Sequence, residues 1–159
     1  MPFLLPCVPV CVSVVTLAAV WAPLKAADAG GRAEYIGGTL ANLPAKAEGR
    51  ILTADPQTFV FEAERTRVRV PYDRVNLLEY GQQAGRRYVM ALVISPILLL
   101  SKARKHFLTI AYQDQEGRQQ AMVFQVHKSD VRAVLASLEA RTGLKVEYQD
   151  GEARKAGGG

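Results

Sequence analysis

The chain has 159 residues, with 20 Lys and Arg against 15 Asp and Glu, for a formal net charge of +5. Its two cysteines, Cys7 and Cys11, both lie within residues 1–29, so the remainder can build neither a disulfide scaffold nor a thiolate metal site. About 130 residues follow that stretch, enough for a single domain with its own core, and so modest a charge serves solubility as readily as it attracts an acidic partner.

Residues 3–22 are almost unbroken in apolar side chains, interrupted by Pro6, Pro9, Ser13 and Thr16, and are followed by Pro23 and Ala26-Ala27-Asp28-Ala29. An apolar run before an A-x-A site is the pattern of an export signal, so residues 1–29 read as a signal peptide and the mature protein as periplasmic or extracellular. No Lys or Arg precedes the run, which at about 20 residues is also long enough to span a bilayer. The alternative is therefore an uncleaved N-terminal helix that anchors the protein. Cys7 and Cys11 sit too early in the run to serve as lipoprotein sites.

Residues 30–34 read as a polar lead-in, and strands follow from Tyr35 onward. Residues 48–55 and 58–64 are two runs separated by the turn signal Pro56-Gln57. In the second, Phe59 and Phe61 share one face. Residues 67–70 alternate strictly, Arg-Val-Arg-Val, as a strand with one wet face does. Pro71 stops that run, and residues 75–80 resume before Gly81. Residues 106–113 and 120–127 predict a hairpin around Asp114–Gly117, with Leu108, Ile110 and Tyr112 on one face of its first strand and Met122, Phe124 and Val126 on one face of its second.

A helix is predicted over residues 129–142. Ser129 suits its N-cap and Asp130 its positive end. Val131, Val134, Leu135 and Leu138 form one apolar stripe, and Gly143 is placed to close it in a left-handed cap. Leu144, Val146 and Tyr148 alternate with Lys145 and Glu147 as a short last strand. Residues 149–159 are charged and then glycine-rich, and are expected to be a disordered tail.

Several strands and then one helix predict a mainly β fold, a β-sandwich or partly open barrel of six to seven strands with one C-terminal α-helix. The runs Glu48-Gly49-Arg50-Ile51-Leu52-Thr53, Phe59-Val60-Phe61, Val70-Pro71-Tyr72-Asp73-Arg74-Val75 and Leu78-Glu79-Tyr80-Gly81 resemble the PH-like superfamily, closest to GRAM-type domains. The blocks 101–109, 138–143 and 146–148 are similar to a group of exported bacterial proteins of this architecture. The resemblance covers residues 48–148 and implies a PH-like domain over 35–148. Its motifs encode strands and turns, with Gly49 and Gly81 expected in turn conformations. No phosphoinositide-binding residue can be carried over.

The departure from that pattern is an apolar insertion over residues 86–105. As a helix, residues 88–100 would reach about 20 Å, short of the ~30 Å hydrocarbon core, and Pro96 would break it. Arg86 and Arg87 precede the run, and Lys102, Arg104 and Lys105 follow it. One reading is an interfacial hairpin that inserts Leu98 and its neighbours among anionic lipids while the five cations meet head groups. The others are a buried core segment and a patch for a protein partner.

No catalytic chemistry is legible. His106 and His127 border strands without metal-ligand spacing, Gly37-Gly38 lacks the helix of a phosphate loop, and no serine sits in a nucleophile elbow. No metal site and no cofactor is expected. Nucleic acid is disfavoured by the export signal and by the lack of aromatics among the basic clusters. The expectation is a non-catalytic interaction module of the bacterial cell envelope that holds a protein or peptide partner, with a peripheral protein of anionic lipid surfaces as the alternative. The sequence is silent on oligomeric state.

Overall fold

A computed structural model of the chain describes residues 30–40, 43–82, 105–149 and 151–157. Their strands are β1 (Gly30–Gly38), β2 (Ala47–Leu52), β3 (Thr58–Ala63), β4 (Thr66–Pro71), β5 (Val75–Gly81), β6 (Phe107–Gln113), β7 (Gln119–Val126) and β8 (Glu147–Tyr148). Helices α1 (Val131–Thr142) and α2 (Gly151–Gly157) complete the elements, with a 3-10 turn at Tyr72–Arg74. The strands form one mixed sheet in the order β4-β3-β2-β1-β7-β6-β5-β8. It is not closed into a barrel. Neighbours are antiparallel except for β5 and β8. The chain therefore makes two meanders, β1 to β4 and β5 to β7, joined where β7 returns beside β1.

β1 is the corner between them. Its residues Gly30–Tyr35 pair with β2, whereas Ala33–Gly38 pair with β7. Only Ala33, Glu34 and Tyr35 carry both ladders. A bulge at Ile36 follows directly, and such an extra residue bends a strand and lets it pass from one part of a sheet to another.

The sheet is strongly curled. β3 and β7 lie three places apart, about 14 Å in a flat sheet at the usual strand spacing. Yet the rings of Phe61 and Phe124 are centred 4.8 Å apart, and those of Phe59 and Phe124 6.0 Å apart. Curling turns the inner face into a hollow lined by Tyr35, Ile51, Phe59, Phe61, Leu108, Ile110, Met122 and Phe124, all buried. α1 lays Val131, Val134, Leu135 and Leu138 into this hollow, as its stripe predicts.

Two of the hairpin turns are held by carboxylates. Asp55 accepts hydrogen bonds from the backbone N–H groups of Gln57 and Thr58 at 2.8 and 3.0 Å. Asp114 accepts from the N–H groups of Glu116 and Arg118 at 3.0 and 2.8 Å. These are the Asx turns that Asp is suited to form.

Several expectations are corrected. Residues 30–34 are not a lead-in but the first half of β1. Residues 151–157 are a helix rather than a disordered tail, because Ala153 is fully buried against the core. Gly49 and Gly81 are strand residues with no positive φ. A Cβ at Gly49 would collide with the Glu62 carbonyl oxygen, and one at Gly81 with the Gln149 side chain. Close approach of backbone, not turn geometry, calls for glycine at Gly49, whereas at Gly81 the obstacle is a side chain that can move. The αL cap falls as predicted, with Gly143 at φ 72°. At the other end Asp130, not Ser129, holds the N-cap position, and its side chain makes no cap bond because it is engaged elsewhere.

Candidate functional site

Strand alternation sends Arg32 and Glu34 of β1, and Glu48 and Arg50 of β2, to the outer face of the sheet. The register sets them like against like: Arg32 opposite Arg50, and Glu34 opposite Glu48. Directly opposed like charges destabilise a strand pair. With Gln125 and His127 these residues line an open groove of ≈ 380 Å³ that runs across β2, β1 and β7.

The two arginines have neighbouring acids. Arg50 lies opposite Glu62, which is ion-paired in turn with Arg67 of β4. Arg32 Nε is 3.3 Å from Asp130 Oδ2. Glu34 and Glu48 have no such compensation, since neither forms an ion pair among the described residues. Among the described residues the groove thus carries two opposed carboxylates that no ion pair engages.

One end of the groove is a polar cluster. The backbone N–H of Arg32 donates to Asp130 Oδ2 at 2.9 Å, and its guanidinium reaches Ser129 Oγ at 3.2 Å and His127 Nδ1 at 3.1 Å. Ser129 Oγ lies 2.8 Å from His127 Nδ1 and donates to Asp130 Oδ1. The hydrogen bond from Ser129 and then that from the Arg32 backbone, with the Arg32 side chain adding to them, hold the Asp130 carboxyl down at about 2 despite some burial. Ser, His and Asp therefore meet, but not in the order nucleophilic catalysis uses. In a triad the carboxylate orients the histidine and leaves the serine proton to the imidazole. Here the carboxylate takes the serine O–H itself and is held by arginine. The cluster is a clamp that ties the start of β1 to the connection between β7 and α1.

Of the residues predicted to contact membrane, Arg86, Arg87, Leu98, Lys102 and Arg104 lie outside the described residues. Lys105 is half-exposed, ahead of β6. The two histidines flank the β6–β7 pair. His106 Nδ1 is hydrogen-bonded to the Tyr80 hydroxyl, with the rings stacked at 6.1 Å. Burial first, then the nearby Lys128 and His127, lower its pKa. Among the described residues no group of three His, Cys, Asp or Glu side chains could hold a metal ion.

Sequence reasoning read Ser129 and Asp130 as helix-cap residues and missed their convergence with Arg32, which lies 98 positions from Asp130. The like-charge rows had no sequence signal either, because they exist only once the β1–β2 register is known. No protein-family model matches the chain, and no curated protein matches it.

Proposed function

We propose that this chain is a non-catalytic interaction module of the bacterial cell envelope, built on a PH-like domain, that holds a protein partner through the outer groove of β2, β1 and β7. The observation that carries the reading is the opposed pair Glu34 and Glu48, set side by side in the groove and outside any ion pair among the described residues. A sheet serving only its own stability gains by replacing one of them. A partner that presents Lys or Arg to the pair turns the same repulsion into binding energy and selectivity.

The PH-like part of the proposal is supported by two meanders followed by helix α1 in the hollow of the sheet. The residues of the resemblance also take strand and turn positions: Ile51 in β2, Phe59 and Phe61 in β3, and Pro71-Tyr72 at the end of β4. The envelope location is supported by the apolar run and Ala27-Asp28-Ala29, and β1 starts at the very next residue, Gly30. No helix among the described residues is long and apolar enough to cross a membrane.

The test is the double substitution Glu34→Gln with Glu48→Gln. Relief of the repulsion should raise the unfolding free energy by about 0.2–1 kcal/mol in urea titrations. In affinity capture from detergent-solubilised envelope, a partner retained by the parent chain should be lost by the variant. The parent should also release it as salt rises, since exposed charge pairs are screened within ~10 Å at 0.1 M salt. A variant that retains the parent's partner at parental level refutes this face as the binding surface.

A further inference from the structure

α1 packs against the 3-10 turn that follows β4. Pro71 ends the strand and the chain turns at once, which sets Tyr72 and Asp73 beside the last turn of α1. An open cavity of ≈ 630 Å³ lies there, lined by Gln57, Thr58, Tyr72, Asp73, Arg141 and Thr142. That volume falls within the range of small-ligand sites.

Two of its donors are poorly used by the fold. Tyr72 is only 4% exposed, yet its hydroxyl is buried without a hydrogen-bond partner. A phenylalanine in the same slot would avoid the cost of burying that hydroxyl, and buried polar groups are as a rule satisfied. Arg141, in the last turn of α1, is exposed. Among the described residues its side chain makes one long hydrogen bond, from Nη2 to the Ala54 carbonyl oxygen at 3.4 Å, and no ion pair. A guanidinium has five N–H groups in a planar fork, so most of that capacity is unused. The charge of Arg141 also acts on the phenol: burial raises the Tyr72 pKa, Arg141 offsets part of the rise, and Asp55 adds to it. The neighbouring groups are already committed. Asp55 accepts from the backbone N–H groups of Gln57 and Thr58. Thr142 Oγ1 donates to the Leu138 carbonyl oxygen at 2.8 Å and accepts from the Leu144 N–H at 3.2 Å.

We infer that this cavity binds a carboxylate, with Arg141 supplying a charged fork and Tyr72 an O–H donor. A planar carboxylate matches a guanidinium with two parallel hydrogen bonds, and its remaining lone pairs stay open to the phenol. Asp73 sets the charge of the ligand. It lines the same cavity outside any ion pair among the described residues, and the last carbonyls of α1 add partial negative charge. A phosphate dianion meets twice the repulsion that a monocarboxylate meets there. A free small acid and the C-terminus of a peptide both present the recognised group. This inference is independent of the groove on β1 and β2.

Thermal unfolding of the full chain at pH 7 and matched ionic strength tests it. The probes are sodium acetate, N-acetyl-tetra-alanine with a free C-terminus, the same peptide amidated, and inorganic phosphate. Acetate, the free-ended peptide or both should raise the unfolding midpoint as their concentration rises, and the amide should not. The more potent of the two names the source, a free acid or a chain end. Phosphate should be weaker, and Asp73→Asn should narrow its disadvantage. Tyr72→Phe should unfold no lower than the parent without additive, since it deletes an unpartnered hydroxyl, yet should need about 10-fold more carboxylate for the same rise. Arg141→Gln should need at least as much. Each variant is compared with its own midpoint, so a weakened fold cannot imitate weakened binding. The proposal is overturned if no carboxylate raises the parent's midpoint, if the amide or phosphate matches the free acid, or if both variants respond like the parent. A lower midpoint for Tyr72→Phe without additive overturns it too, because the hydroxyl would then serve the fold itself.

Discussion

At Asp130 a single carboxylate ties the start of β1 to the connection between β7 and α1. It forgoes the helix cap that its position offers and instead accepts from the Arg32 backbone N–H and from Ser129, with the Arg32 guanidinium at 3.3 Å. All of these favour the charged form, which is why its pKa falls from 3.8 to about 2. A folded-state pKa below the unfolded one contributes stability that is complete above the unfolded value and is lost as pH falls through the folded one. Asp130→Asn should therefore cost about 1 kcal/mol at pH 7, and the gap between parent and variant should close between about pH 4 and pH 2. Urea titrations at several pH values measure this. A gap of constant size down to pH 2 would show that the carboxylate's charge is not what the clamp uses.

Among the elements, α2 is the one whose existence changes the account of the C-terminus. A seven-residue helix has little stability of its own, so its order must come from packing. Ala153 supplies it by inserting into the core beside α1, while Gly157 comes close to Leu135, Tyr148 and Tyr80. Only small side chains fit there. Ala153→Leu should overpack the site and cost about 1–3 kcal/mol, read as a lower midpoint in thermal or urea unfolding. A tail without tertiary contacts would accept leucine with no loss. The same principle governs α1, whose stripe was legible because Val131, Val134, Leu135 and Leu138 recur at helical spacing. α2 offered no stripe, since charge and glycine surround its one anchoring methyl group.

On the scale of the whole molecule, the curl of the sheet makes one core out of two meanders. Phe124 of β7 touches Tyr35 of β1 and both Phe59 and Phe61 of β3, with ring centroids 5.8, 6.0 and 4.8 Å away. One ring thereby holds the β1–β4 meander against the β5–β7 meander. Phe124→Ala should cost about 3–5 kcal/mol. Because the core is shared, the loss should appear as a shift of one cooperative transition that coincides by circular dichroism and fluorescence. Two separated transitions would mean that the meanders hold together independently. The open sheet also leaves β4 as an edge. Arg67, Arg69 and Pro71 are the residue types that discourage further strand pairing there.

Residue order alone determined those parts of the protein whose physics is local. Alternation placed β3, β4, β6 and β7, because side chains in a strand change face every residue. Helical spacing placed α1, Gly143 placed its end, and the mainly β character followed from the sum. The apolar run before Ala27-Asp28-Ala29 was likewise a local pattern. What tertiary structure decided is what depends on register and curvature. β1 escaped notice in its first half because glycines, Arg32 and Glu34 mask a strand whose inward residues pack only after β2 and β7 are in place. The like-charge rows of the groove and the Arg32–Asp130 clamp join residues far apart in sequence. They arise from pairings that no short window of sequence encodes, because loop closure and sheet curl, not local propensity, bring those residues together.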